Sequence, residues 1–213
     1  EGPHGEFPGY RNPIRNLPVF RVNAITYRNN PVLTMTCIGM PVEDSDICTQ
    51  LSAAVSIKRR LRQSGLPVKE VFLPPETASH LVIISLNSSS VNIIKQVENL
   101  IYAHGLGEVK TIVVDSDVDV FNLNEVIHAF STKCHPRKGI RISEVNFTIE
   151  LTPYLSLEER KGAKGYRSLF DCTWPEDWSK ETDIPPRVSF KEVYPEEIKD
   201  KVIKNWKSYG FSE

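Results

Sequence analysis

The most constraining feature of this sequence is the alternation of strand-like and helix-like segments between residues 68 and 145. Short apolar runs bounded by turn residues are typical of buried strands, and apolar residues recurring every three or four positions predict helices. The predicted strands are 68–73, 81–86, 109–114 and 140–145, and the helices are 91–103 and 124–133. Strands joined by helices of this length imply an α/β fold with a mainly parallel sheet.

Helices are also predicted on both sides of this region. Apolar residues at helical spacing predict a helix over about 45–64, with Asp44 as its N-cap, which ends where Gly65 and Pro67 follow. From Pro153 to Pro186 the sequence is irregular, and a last amphipathic helix is expected over about 195–209.

The first 42 residues have a different character. Residues 1–18 are dense in Gly and Pro, which predicts an ordered loop, and two β-like runs follow at 19–28 and 32–38. Because a lone hairpin is only marginally stable, we expect these strands to belong to a sheet whose other members are missing. The chain begins with Glu rather than Met, so we expect a fragment or a processed chain.

Charge and composition exclude some classes of binding partner. Lys plus Arg total 26 and Asp plus Glu total 27, a balance that argues against a nucleic-acid partner, which needs clustered positive charge. No apolar run approaches the roughly 20 residues that span a bilayer, so we expect no membrane association. The four cysteines are widely spaced, which fits a reducing compartment and predicts a cytoplasmic protein.

The densest chemical feature is the opening segment, EGPHGEFPGY. It places Glu1 and Glu6 five residues apart in a loop stiffened by Gly and Pro, with a histidine between them. One interpretation is a preorganised acid/base pair, because unlike environments separate the pKa values of two carboxyl groups. The alternative is a solvent-facing turn with two ordinary glutamates.

The pattern Glu-Gly-Pro-x-Gly-Glu-x-x-Gly-Tyr resembles the characteristic loop of the UbiD-type decarboxylases, which use prenylated FMN. The resemblance continues in order along the chain and is strongest to the ferulate/cinnamate decarboxylase branch. It is carried by ITYRNN at 25–30, LSAA at 51–54, AFST at 129–132, PY at 153–154, YPEE at 194–197 and NWKSYGF at 205–211. It spans essentially the whole chain, but only about the C-terminal half of such an enzyme.

The resemblance implies a domain organisation. Residues 1–42 would be the C-terminal part of the split β-barrel domain that binds prenylated FMN, and 43–66 a linker helix. Residues 67–190 would form an α/β dimerisation domain, and 191–213 a C-terminal helical tail. The implied partners are the N-terminal half of the same enzyme, or a separate chain that replaces it, and a second copy in a homodimer.

It also implies an activity: reversible, non-oxidative decarboxylation of an aromatic, heteroaromatic or α,β-unsaturated, cinnamate-like acid through a covalent adduct with prenylated FMN. In a Glu–Arg–Glu network, Glu6 would be the proton donor and Glu1 would hold the network in register, with the arginine supplied by the N-terminal half. The Mn²⁺ and K⁺ ions would be bound mainly by that half, so no metal site is expected here.

The remaining site residues are also carried over from the resemblance. Positions matching the substrate side in relatives are Phe7, Ser45, Thr49, Ile149 and Leu151. At Thr49 a hydroxyl replaces an aliphatic side chain, and at Ile149 an aliphatic side chain replaces an aromatic ring. A hydroxylated or heteroaromatic acid is therefore as plausible a substrate as cinnamate itself. His104 stands near the position of a lysine that approaches the cofactor phosphate in relatives, and is a weak candidate for that role; otherwise it is a surface or helix-end histidine.

Two other interpretations stay open. The chain could be a non-catalytic oligomerisation or interaction module derived from such an enzyme. The sequence Asp115-x-Asp117-x-Asp119 begins like a calcium loop, but it lacks the glycine and the glutamate that such a loop requires, which makes a metal site there improbable.

Overall fold

The computed structural model describes residues 1–103, 110–146, 151–162 and 164–212. The chain forms two compact units, Glu1–Trp174 and Pro175–Glu213. His104 and Ile149, both predicted site residues, lie outside the described residues.

A five-stranded mixed sheet forms the centre of the first unit. Its strands are β1 (Val68–Phe72), β2 (Leu81–Leu86), β3 (Lys110–Asp115), β4 (Ile140–Val145) and β5 (Gly165–Cys172), in the spatial order β1-β2-β3-β5-β4. β3 is parallel to both β2 and β5, whereas the outer pairs β1–β2 and β4–β5 are antiparallel. The α/β class is confirmed, but the prediction of a mainly parallel sheet is wrong, because both edge strands run antiparallel to their neighbours.

Three helices accompany the sheet: α1 (Asp44–Gln63), α2 (Val91–Tyr102) and α3 (Leu123–Lys133). The predicted helices match these bounds to within one residue, although Glu43, not Asp44, is the N-cap of α1. One apolar core joins residues of α1 and α2 to β1 and β2, and includes the fully buried Leu61 and Val97. A second core lies between α3 and the central strands, around Ile83 and Val114. Two-sided burial explains why β2 reads as a continuous apolar run.

Two parts of the chain differ from the sequence prediction. Residues 19–28 and 32–38, predicted as strands, belong to no strand or helix. Conversely, the stretch from Pro153 to Pro186, predicted as irregular, contains β5, which is an interior strand of the sheet.

The second unit is helical and short. It contains α4 (Phe190–Val193) and α5 (Glu196–Lys204), followed by a single 3₁₀ turn at Lys207–Tyr209. The predicted terminal helix over 195–209 is therefore interrupted after Lys204. None of the helices in the described part of the chain has the length and apolar character needed to cross a membrane.

Candidate active site

The opening segment folds into a tight loop held by its own backbone. Gly5 and Arg11 form an antiparallel bridge, the amide of Glu6 donates to the carbonyl of Tyr10 at 3.0 Å, and the amide of Asn12 donates to the carbonyl of His4 at 3.0 Å. At its base, the amide of Arg15 donates to the carbonyl of Glu1 at 3.0 Å. We call residues 1–15 the acidic loop. The predicted ordered loop is confirmed.

Glycines let the acidic loop approach the segment that precedes α1. A Cβ on Gly5 would lie 3.0 Å from the Cα of Gly39, so a side chain there would collide with backbone. Gly9 has a φ of +81°, in the left-handed region that favours glycine, and a Cβ there would lie 2.9 Å from Cδ of Pro41. The loop is therefore seated beside the N-terminus of α1.

A polar cluster occupies this loop. Nε2 of His4 lies 3.1 Å from Oε1 of Glu6 and 3.9 Å from Oε1 of Glu1. Nδ2 of Asn12 donates to the same Oε1 of Glu6 at 3.0 Å and lies 3.2 Å from Nε2 of His4. The amide orientation of Asn12 is fixed because its Oδ1 accepts from the backbone N–H of His4 at 2.8 Å. We call these four residues the Glu–His–Glu cluster.

The cluster fits a shared proton between Glu6 and His4. Nε2–H of His4, in a neutral ring or an imidazolium, can donate to the Glu6 carboxylate, and a protonated Glu6 carboxyl can donate to an unprotonated Nε2. In both arrangements Asn12 donates to the same carboxyl oxygen. The side chain of Glu6 is 18% exposed, against 51% for Glu1 and 44% for His4, so Glu6 is the most enclosed of the three titratable groups.

The other predicted site residues are placed as follows. The ring of Phe7 stacks on the ring of His80, with centroids 6.0 Å apart and an interplanar angle of 20°. Ser45 lies in the first turn of α1, where its hydroxyl donates to Oε1 of Glu43 at 2.5 Å. Thr49 is exposed on α1, and Leu151 is half-buried. Phe7 thus contacts the residue that precedes β2, and the acidic loop lies near the start of the helix that carries Ser45 and Thr49.

His80, in contact with Phe7, was not singled out by the sequence analysis. Its Nδ1 lies 2.6 Å from the carbonyl of Ala78, which identifies Nδ1 as the protonated nitrogen. Its Nε2 is buried and has no hydrogen-bond partner in the described part of the chain. Burial lowers the pKa of this imidazole, and the positive charge of Lys110 acts in the same direction. His80 is therefore a neutral ring in contact with Phe7, and its Nε2 is an acceptor without a hydrogen bond in the described part of the chain.

Lys110 and Tyr154 lie next to this contact. The amide of Lys110 donates to the carbonyl of His80 at 3.0 Å, because the two residues stand at the starts of the adjacent parallel strands β3 and β2. Nζ of Lys110 lies 4.9 Å from the ring centroid of Tyr154, and partial burial lowers the pKa of the lysine. His80 and Lys110 meet through the pairing of β2 with β3, which is visible only in three dimensions.

At the opposite end of β3, the acidic side chains pair with a lysine. Asp115 ends β3, and its carboxylate pairs with Nζ of Lys133 at 2.8 Å, while Asp117 lies 3.5 Å from the same ammonium. Within the described ranges no group of three or more His, Cys, Asp or Glu residues is arranged to hold a metal ion.

Comparison with known proteins identifies the family. Residues 47–172 match the 3-octaprenyl-4-hydroxybenzoate carboxy-lyase C-terminal domain, and residues 1–41 match the Rift-related domain of the same carboxy-lyase. The chain belongs to the UbiD carboxy-lyase family. This match confirms the family that the loop motif indicated. The first matched domain ends at residue 41, before α1 begins at Asp44, and the second starts at residue 47, in the first turn of α1.

Two curated relatives are decarboxylases. The chain is 26% identical to pyrrole-2-carboxylic acid decarboxylase of Pseudomonas aeruginosa, over all of this chain and 45% of that protein. It is 27% identical to ferulic acid decarboxylase 1 of Saccharomyces cerevisiae, over 99% of this chain and 44% of that protein. The chain therefore spans less than half the length of these relatives.

Solved structures agree on the fold. Vanillic acid decarboxylase of Sedimentibacter hydroxybenzoicus in its closed form matches with a TM-score of 0.77 and 27% identity, over 97% of this chain and 43% of that chain. The UbiD-class enzyme HmfF of Pelotomaculum thermopropionicum, in complex with FMN, matches with a TM-score of 0.70 and 23% identity, over 89% of this chain and 41% of that chain.

Proposed function

We propose that this chain forms the proton-donating part of a prenylated-FMN-dependent decarboxylase whose substrate is an aromatic, heteroaromatic or α,β-unsaturated carboxylic acid. One observation carries the proposal. Glu6, the second glutamate of the family motif, is the most enclosed carboxyl group of the Glu–His–Glu cluster, and His4 and Asn12 both bond its Oε1. A carboxyl group fixed in this way is positioned to deliver a proton to a defined point.

The reaction requires one proton for each substrate. When a carboxylate loses CO₂, the electron pair of the broken C–C bond stays on carbon and must be taken up by a proton. Glu6 donates this proton. Glu1, whose Oε1 lies 3.9 Å from the same imidazole nitrogen, completes the polar cluster around the donor.

The residues present fit one side of a flavin site. An acid pair beside an apolar ring, Phe7, suits the edge of a flavin at which substrate is protonated. The described residues contain no group of three or more His, Cys, Asp or Glu residues that could hold a metal ion. When bound, the prenylated flavin supplies the electron sink for decarboxylation. We place its metal ligands in the polypeptide that matches the first half of the relatives, and His104 stays a weak candidate for a contact with its phosphate.

The substrate pocket is proposed to include Phe7 with Ser45, Thr49, Ile149 and Leu151. The exposed hydroxyl of Thr49 favours a substrate that carries a polar group besides its carboxylate. The two curated relatives bear the names of pyrrole-2-carboxylic acid and ferulic acid; the first acid has a ring N–H and the second a phenol hydroxyl besides the carboxylate.

Two partners follow from the same proposal. The first is the polypeptide that corresponds to the N-terminal half of the relatives, which would pair with residues 19–38. The second is another copy of this chain, through the α/β domain at 67–190.

The decisive experiment measures CO₂ release by this chain combined with its N-terminal half and prenylated FMN. Glu6→Gln keeps the shape of the side chain but removes the transferable proton, so we expect the rate to fall on the order of 100-fold or more. The matched control is Glu197→Gln, an exposed glutamate of α5, which should leave the rate unchanged. Equal rates for the wild type and Glu6→Gln would reject Glu6 as the acid. A chain that dimerises but binds no flavin would favour the non-catalytic module.

A further inference from the structure

We propose that His4 is the proton relay that recharges Glu6 from solvent after each turnover. His4 occupies the position of the motif between Gly-Pro and Gly-Glu, and neither the family match nor the motif assigns it a role. The inference rests on the proposed function of Glu6.

The first step is the contact itself. Nε2 of His4 and Oε1 of Glu6 are 3.1 Å apart, within hydrogen-bonding distance for direct proton transfer between nitrogen and oxygen. Asn12, only 6% exposed, donates to the same carboxyl oxygen and holds the backbone of His4 through its Oδ1. The pair is therefore held in register by a third, buried side chain.

The second step is the direction of supply. The donor must be recharged once per substrate, and the Glu6 side chain is only 18% exposed, whereas that of His4 is 44% exposed. Bound substrate and the remainder of the enzyme would enclose Glu6 further. The imidazole thus connects an enclosed carboxyl group to water, and an imidazole side chain can both accept and donate a proton.

The proton balance closes. Glu6 gives its carboxyl proton to the carbon that has lost CO₂ and becomes a carboxylate. The imidazolium of His4 then transfers the proton on Nε2 to Oε1 of Glu6 and becomes neutral, with its remaining proton on Nδ1. Water returns a proton to the imidazole, so each turnover consumes one proton from solvent. The Glu1 carboxylate, 3.9 Å away, stabilises the imidazolium between transfers.

The kinetic test uses the complete enzyme with its cofactor. His4→Ala should lower kcat on the order of 10- to 100-fold, and added imidazole, but not sodium chloride of equal ionic strength, should restore part of the loss. His4→Gln keeps a hydrogen bond to Glu6 but cannot carry a proton, so we expect it to be as slow as His4→Ala. His128→Ala, on the exposed face of α3, is the matched control and should retain the full rate.

A second readout does not depend on turnover. In the ¹⁵N-labelled chain, the Nε2 chemical shift of His4 should move when Glu6 is replaced by Gln, and the shifts of His128 should stay fixed. A wild-type rate for His4→Gln, or failure of imidazole to rescue His4→Ala, would overturn the relay. If Glu6→Gln itself is fully active, the proposed function of Glu6 fails, which is a different result.

Discussion

At the scale of single residues, the ring of Phe7 in the acidic loop contacts the ring of His80, which directly precedes β2. His80 bonds through Nδ1 to Ala78 and buries Nε2 without a partner, an arrangement that tolerates a neutral ring but not a charged one. Phe7 covers this ring, so the loop that carries Glu6 is attached to a group whose charge depends on pH.

This burial predicts a pH-dependent stability. Because the pKa of His80 is lowered below 6.5 in the folded protein, the unfolded chain takes up a proton first as the pH falls. The contribution of His80 is therefore fully present above pH 6.5 and is lost as the pH falls through the folded-state pKa. We expect urea unfolding from about pH 8 to about pH 5 to show a smaller loss of stability for His80→Phe than for wild type.

Phe7→Ala provides the control for this prediction. Removing the ring uncovers His80, which should bring its pKa closer to 6.5. The variant should therefore show a weaker pH dependence than wild type. Unfolding free energies of wild type and His80→Phe that change in parallel with pH would contradict the assignment.

At the scale of elements, α1 has two apolar faces, one of which is buried and the other exposed to solvent. Ala54, Ile57 and Leu61 are buried, in the core shared with β1 and α2. Leu51 and Val55, on the same helix, are 66% and 61% exposed. Periodicity alone predicted the helix correctly, but it did not separate the buried face from the exposed one.

The two faces give a matched pair of substitutions. Leu61→Ala removes a side chain that is 0% exposed, and we expect it to reduce the free energy of unfolding by about 2–5 kcal/mol. Leu51→Ala changes the same residue type on the exposed face and should alter it by no more than about 0.5 kcal/mol. Urea unfolding of both variants measures the difference, and equal losses would contradict the described core.

The strands that the sequence predicted and the strand that it missed differ in how regular their apolar pattern is. β2 was predicted because its apolar run is itself the signature of two-sided burial. β5 was missed because Arg167 faces inward, 5% exposed, and interrupts the apolar pattern, while the neighbouring Tyr166 is exposed. In the site, the motif identified Glu1 and Glu6, but His80 and Lys110 meet only through the pairing of β2 with β3, which no local pattern encodes.

At the scale of the whole molecule, residues 19–38 carry large exposed apolar side chains. Val19 is 94% exposed, Phe20 88%, and Leu33 82%. In these residues, all of which the structure describes, none belongs to a strand or a helix. The β-like pattern therefore has the composition of strands without the neighbours that strands require.

Hydrogen exchange tests whether these neighbours come from a polypeptide that corresponds to the N-terminal half of the relatives. In the chain alone, amides of 19–38 should exchange close to their intrinsic rates, whereas those of β2 should be strongly protected, because β2 is an interior strand of the sheet. Adding the polypeptide that corresponds to the N-terminal half of the relatives should slow exchange in 19–38 on the order of 10-fold or more, since ladder hydrogen bonds would then form. β2 should be unaffected and serves as the internal control. Unchanged exchange in 19–38 despite measured binding would mean that the partner docks elsewhere and that these residues are not strands of a shared sheet.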